Sequence, residues 1–239
     1  METDQQIARV RAEGEALARA AEAGPLDAPV PGCPGWDVEA LLRHMGDVHR
    51  WAATIVGERI PERLQRDFEG PADPDTLLVW YLEGCVTLVD ALEAASPDES
   101  FWFWGPAPTA LAFWARRQAN ETAIHRCDAE SAHGPITPLT TVDALDALDE
   151  WVVLATRRAK APEGEGRILR LAPDDARATW SVILGEHVEV TSDRGRGHCD
   201  LRGSASDLYL WSMNRRGTEG LTVTGDESLL QVWTDNMKF

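Results

Sequence analysis

The stretch Asp37-Val-Glu-Ala-Leu-Leu-Arg-His-Met-Gly-Asp-Val-His-Arg-Trp-Ala-Ala-Thr-Ile-Val56 decides the fold. Val38, Leu41, Met45, Val48, Ala52 and Ile55 recur at steps of three and four, which puts them in one stripe on an α-helix. Asp37 stands where a carboxylate caps the first exposed backbone N–H groups, and Pro31-Gly-Cys-Pro-Gly35 before it reads as a turn. His44 falls about 60° from the centre of the stripe, at the border of the buried face. His49 sits at the opposite border, about 140° from His44, so the two cannot share a metal.

Helical spacing continues on both sides of this segment. Residues 4–23 are rich in Ala, Arg and Glu and stop at Gly24-Pro25. A third helix is expected over about 74–95, opened by Asp73 or Pro74. Phe101-Trp-Phe-Trp104 forms an aromatic loop, a candidate pocket wall or core plug, and Thr109 caps a fourth helix reaching about Ser131. Long amphipathic helices joined by loops predict an antiparallel four-helix bundle, an interior that hosts His and Glu metal sites. Val142–Ala159 is a further helix leading out of it, and Pro162-Glu-Gly-Glu-Gly166 reads as a linker. Beyond the linker the period changes to alternation. Strands are expected at 167–171, 178–184, 187–191, 199–201 and 221–224, a turn at Asp193–Gly197, and helices at 204–214 and 226–233. The expected organisation is a helical bundle over 1–161 and a small α+β domain over 162–239.

At 239 residues, with 44% apolar and 26% charged side chains, the chain has the make-up of a globular protein. Its formal charge of −17 argues against nucleic acid and anionic membrane surfaces, which both favour a basic face. The first residues carry no basic segment followed by an apolar run, and no apolar run approaches the roughly 18 residues of a membrane span. A cytoplasmic protein, monomer or weak dimer, is the expectation. Cys33, Cys85, Cys127 and Cys199 are scattered without a Cys-x-x-Cys pair, and so read as small buried hydrophobes. Cys127 draws notice because it lies two residues past His125.

Asn120-Glu121-Thr-Ala-Ile-His125-Arg126 lies in the fourth helix. Glu121 and His125, at i and i+4, are about 40° apart around the axis and one turn apart along it, which lets both side chains reach one cation. With His44 from another helix the set becomes His, Glu, His. Three protein ligands and an open fourth position characterise catalytic rather than structural zinc. Taken singly, Glu-x-x-x-His is more often a solvated ion pair, and a histidine beside an apolar stripe a hydrogen-bonded core residue.

Several segments together carry a resemblance. Val30-Pro-Gly-Cys-Pro-Gly-Trp-Asp-Val-Glu-Ala-Leu-Leu-Arg-His44, Val48-His-Arg-Trp51 and Arg117-Gln-Ala-Asn-Glu121-Thr-Ala-Ile-His125-Arg-Cys-Asp128-Ala resemble the mycothiol-dependent maleylpyruvate isomerase family, a branch of the DinB-like metal-binding bundles. Gly203-Ser-Ala-Ser-Asp-Leu-Tyr-Leu-Trp211, Arg215-Arg216 and Gly220-Leu-Thr-Val-Thr-Gly-Asp226 resemble the family's small C-terminal domain. The resemblance implies a DinB-like four-helix bundle followed by an α+β domain, with His44, Glu121 and His125 as ligands of zinc or another divalent metal. Where relatives carry a bulky residue after the His-Arg step, this chain has Cys127.

The activity so implied is zinc-dependent and uses mycothiol, a low-molecular-weight thiol, as nucleophile. A thiol held at a cation is deprotonated, and thiolate is the reactive species. Addition to the cis double bond of maleylpyruvate, rotation and loss of the thiolate would give the trans isomer; thiol S-transfer to another electrophile fits the same scaffold. Asp128, three residues past His125, is a candidate to orient that ligand, or else an ion-pair partner of Arg117 or Arg126. Arg215 and Arg216 are candidates for an anionic substrate group, or else complement a helix end. A non-catalytic metal-binding or sensor protein is the alternative.

Overall fold

The computed structural model describes residues 1–157, 159–191 and 195–237. They form two compact units, Met1–Thr137 and Pro138–Phe239.

The first unit contains α1 (Thr3–Glu22), α2 (Val38–Gly57), α3 (Leu77–Ala94), which a 3-10 turn at Pro74–Thr76 introduces, and α4 (Ala110–His133). Two of the caps are those the sequence marks: Asp37 accepts from the N–H of Ala40, and Thr109 from that of Ala112. The α1 helix packs mainly on α4 and α3, and α2 mainly on α3 and α4. This arrangement sets α2 beside α4, the two helices that carry the candidate ligands. Val38, Leu41, Met45, Val48, Ala52 and Ile55 are all buried, as their stripe requires. At Gly46 the Trp80 ring approaches so closely that an added Cβ would lie 2.0 Å from it, so a glycine there lets α3 sit against α2. Of the aromatic loop, Phe101 joins the core of this unit and Trp102 packs against it, while Phe103 and Trp104 stay exposed. Trp102 and Trp104 pack on Trp51 and Trp114, and Trp114 Nε1 donates to the Trp102 carbonyl at 2.7 Å.

The second unit holds α5 (Thr141–Thr156), β1 (Arg167–Pro173), β2 (Trp180–Leu184), β3 (Glu189–Thr191), β4 (Cys199–Gly203), α6 (Ala205–Ser212), β5 (Thr222–Gly225) and α7 (Ser228–Asn236). The sheet order is β3-β2-β1-β4-β5. β1 pairs antiparallel with β2 and parallel with β4, with Leu171 opposite Trp180 on one side and Leu201 on the other. Ser204 caps α6 as expected, accepting from the N–H of Asp207. The α5 helix packs against α6, and Trp151 Nε1 donates to the Ser212 carbonyl at 3.0 Å. The division thus falls between Thr137 and Pro138 rather than at the Pro162–Gly166 segment, because the apolar face of α5 is spent on the second unit. Part of the turn expected at Asp193–Gly197 lies outside the described residues. Among the described residues no helix is long and apolar enough to cross a membrane.

Candidate metal centre

His44 is presented by α2, and Glu121 and His125 by α4. The three converge. Glu121 Oε1 lies 3.6 Å from His44 Nε2 and 3.6 Å from His125 Nε2, and all three donor atoms fall within 4.8 Å of one another. A separation of 3.6 Å is too long for a useful hydrogen bond. It is close to the roughly 3.3 Å between two ligands at about 2.0 Å from a tetrahedral zinc ion. The donor set fits a borderline divalent cation on chemistry as well, with two imidazoles and one carboxylate.

Around these atoms the remaining polar edges of Glu121 and His125 are engaged. Arg117, one turn before Glu121, donates from Nη2 to Glu121 Oε2 at 2.7 Å, which leaves Oε1 turned toward the histidines. Asp128 Oδ2 lies 3.0 Å from His125 Nδ1. A carboxylate accepts, so Nδ1 carries a proton, which leaves Nε2 as the nitrogen that would ligate a cation at the shared centre on losing its own proton. Burial opposes the charged form of Glu121, yet Arg117, His125 and His44 outweigh it and hold the carboxyl well below the usual carboxylate range. Burial likewise opposes the His125 imidazolium, but Asp128, Cys33 and Glu121 raise its pKa well above the ordinary histidine value. His49 stands apart, fully buried, with Nε2 at 3.0 Å from Thr122 Oγ1.

Two neighbours escape a reading by helix periodicity because they lie in the turn before α2. The turn closes on itself: Cys33 N–H donates to the Val30 carbonyl, and Trp36 N–H to the Cys33 carbonyl. Gly35 takes a φ of 87°, a left-handed conformation that favours glycine. So folded, the turn places the Trp36 ring 4.9 Å from the His44 ring and stacked at 6.2 Å on that of His125. It also brings Cys33 Sγ to 3.3 Å from Asp128 Oδ2. The usable sequence signal was the pair Cys33 and Trp36 flanking Pro34-Gly35, directly before the helix cap.

The other residues that the sequence singles out have partners of their own or are buried. Arg126 pairs with Glu13 and Glu130 rather than facing the cluster. Cys127 is fully buried, and burial pushes its thiol up to about 12. Arg215 and Arg216 belong to the second unit, where Arg215 Nη1 donates to the Met213 carbonyl at 2.9 Å and Arg216 pairs with Asp207.

The family model of the mycothiol maleylpyruvate isomerase N-terminal domain matches residues 7–130, the span that carries all three candidate ligands. Curated proteins give no match. A solved structure of a mycothiol-dependent maleylpyruvate isomerase carrying a histidine-to-alanine mutation superposes with a TM-score of 0.64 at 14% identity, covering 94% of this chain and 93% of that one. A second structure of that isomerase gives 0.61 at 14% identity, with the same coverage. At such identity the likeness establishes the fold: a helical bundle followed by a small α+β region.

Proposed function

The chain belongs to the mycothiol maleylpyruvate isomerase N-terminal domain family, and on that premise we propose that it is a metal-dependent enzyme whose nucleophile is a low-molecular-weight thiol of the mycothiol class. The substrate is maleylpyruvate or a similar cis-unsaturated acid, and the reaction is cis–trans isomerisation. One observation carries the reading: Glu121 Oε1, His44 Nε2 and His125 Nε2 meet at separations suited to a single divalent cation.

His44, Glu121 and His125 would hold the ion, and zinc when bound supplies a positive charge that favours thiolate over thiol. The protein's own groups prepare that centre. Arg117 fixes the rotamer of Glu121 and keeps it ionised. Asp128 fixes the tautomer of His125, and Trp36 gives the centre an apolar wall. In the reaction, the thiolate sulfur bonds to one alkene carbon and the π electrons move to the adjoining carbonyl as an enolate. Rotation about the new single bond follows. Return of the electrons re-forms the double bond as trans and expels the same thiolate, so nothing is oxidised and nothing consumed. Arg215 and Arg216 are the proposed binders of an anionic substrate group, since guanidinium suits a carboxylate.

The test is turnover of the zinc-loaded protein with mycothiol against maleylpyruvate and, separately, against a generic alkylating electrophile. Isomerisation dependent on both thiol and metal supports the proposal. Thiol consumption with the electrophile alone marks an S-transferase on the same site, and neither activity in a zinc-loaded protein marks a non-catalytic metal binder.

A further inference from the structure

The turn before α2 sets a thiol at the far edge of the His125 ring from the metal centre. Cys33 Sγ lies 3.3 Å from Asp128 Oδ2, and His125 Nδ1 lies 3.0 Å from the same oxygen. All three donor atoms fall within 4.8 Å of one another. Ligands at about 2.0–2.3 Å from a tetrahedral zinc ion sit roughly 3.3–3.7 Å apart, so only small movements would close this group on a cation. Sulfur, imidazole nitrogen and carboxylate together select thiophilic or borderline ions and disfavour magnesium and calcium. The two clusters use opposite nitrogens of one imidazole, Nε2 facing Glu121 and Nδ1 facing Asp128.

We propose that Cys33, His125 and Asp128 form a second seat for a thiophilic divalent cation, cadmium or excess zinc, and that filling it inhibits the enzyme. On binding, the Cys33 thiol proton and the His125 Nδ1 proton pass to solvent, while metal–sulfur, metal–nitrogen and metal–oxygen bonds form without change of oxidation state. With the first centre also filled, His125 is left as a bridging imidazolate, and its charge with those of Glu121, Asp128 and the Cys33 thiolate matches the four positive charges of the two ions. Asp128 is drawn onto the cation, so His125 loses the hydrogen bond that orients it toward the first centre. The inhibitory effect rests on the catalytic reading above; the binding itself does not.

Cadmium is the probe, because its bond to thiolate gives an ultraviolet charge-transfer band at longer wavelength than that of zinc. Titrated into the zinc-loaded full chain, cadmium should raise this band to saturation at about one equivalent, with no response to magnesium. The band should vanish in Cys33→Ser and persist in His44→Ala, whose first centre is broken. Asp128→Asn keeps the thiol and should weaken the cadmium affinity at least about tenfold. No band in the wild type, a band surviving Cys33→Ser, or an affinity unchanged in Asp128→Asn overturns the seat. Loss of the band in a folded His44→Ala protein would assign Cys33 to the first centre and overturn the two-seat arrangement. If the protein turns over, cadmium inhibition should require about tenfold more metal in Cys33→Ser, and equal inhibition in both proteins overturns the regulatory half.

Discussion

Arg117 and Glu121 stand one helical turn apart on α4 and share a 2.7 Å hydrogen bond between Nη2 and Oε2, so only Oε1 of the carboxylate is left to face the two histidines. The pair is largely buried, and removing one partner of a buried ion pair strands the other charge. Arg117→Ala should therefore lower the stability of the metal-free protein by about 3 kcal/mol. A bound divalent cation restores a positive charge beside the carboxylate, so the loss should be smaller in zinc. Thermal unfolding of both proteins in chelator and in zinc checks this; an equal loss in both states would separate Arg117 from the metal centre.

Asp128 bears on the same centre from the other side. Its Oδ2 holds His125 at Nδ1, and outer-shell partners of metal-bound histidines commonly contribute 10–100-fold, by rough measure, to affinity. Asp128→Ala is expected to weaken zinc binding by about that factor while leaving the helical circular dichroism intact. Competition with a chromophoric chelator reads the change directly. An unaltered dissociation constant would reduce Asp128 to a packing residue.

Much of this was legible beforehand, and the parts that were not have physical reasons. Helix periodicity placed α1 to α4 and put His44 at the edge of the buried stripe, and the i, i+4 rule paired Glu121 with His125. The parallel pairing of β1 with β4 depends on contacts distant in sequence, which alternation alone does not encode. The boundary between units was equally hidden. Pro162–Gly166 is Gly-rich as a linker is, yet α5 ahead of it packs on α6, a partner that composition does not reveal. Cys33 and Trp36 lie in a turn stabilised by its own backbone bonds and by the left-handed Gly35, where no periodicity reports direction.

Cys127 is sealed in the core, with its thiol raised by burial to about 12, so almost none of it is thiolate at neutral pH. If the reaction uses an external thiol, Cys127→Ser should keep mycothiol-dependent turnover within about threefold of the wild type, whereas His125→Ala should abolish it. Steady-state rates at saturating thiol decide the matter. A metal-loaded Cys127 variant without activity would point to a protein thiolate.

His49 gives a pH prediction for the metal-free protein. Burial lowers its pKa from 6.5 to about 3, countered by Glu121 and reinforced by Arg50, His125 and His44, with Tyr81 packed on its ring and Thr122 on Nε2. The unfolded chain binds this proton below about pH 6.5 and the folded one only near 3, so the contribution to stability is complete above 6.5 and is lost on acidification. The slope is about 1.4 kcal/mol per pH unit across that window. Denaturant unfolding between pH 7 and 4 should show His49→Gln with an acid limb shallower by about one proton, and parallel limbs would contradict the assignment.

The last expectation concerns what the first unit does alone. All three candidate ligands, together with Arg117, Asp128 and Trp36, lie within Met1–Thr137, which has its own buried cores around Trp114 and around Tyr81. Nothing in the donor set comes from the sheet-bearing unit. A fragment ending at Thr137 should therefore fold as a helical bundle and bind zinc with an affinity within about threefold of the full chain. Turnover should fall at least about tenfold if Arg215 or Arg216 binds the substrate, since losing a charged contact costs a few kcal/mol and about 1.4 kcal/mol is tenfold in rate. Zinc titration and maleylpyruvate turnover on the same fragment separate the two claims. A fragment that binds zinc and turns over at the full rate would free the second unit of any part in catalysis; one that folds without binding zinc would remove the metal centre from the first unit.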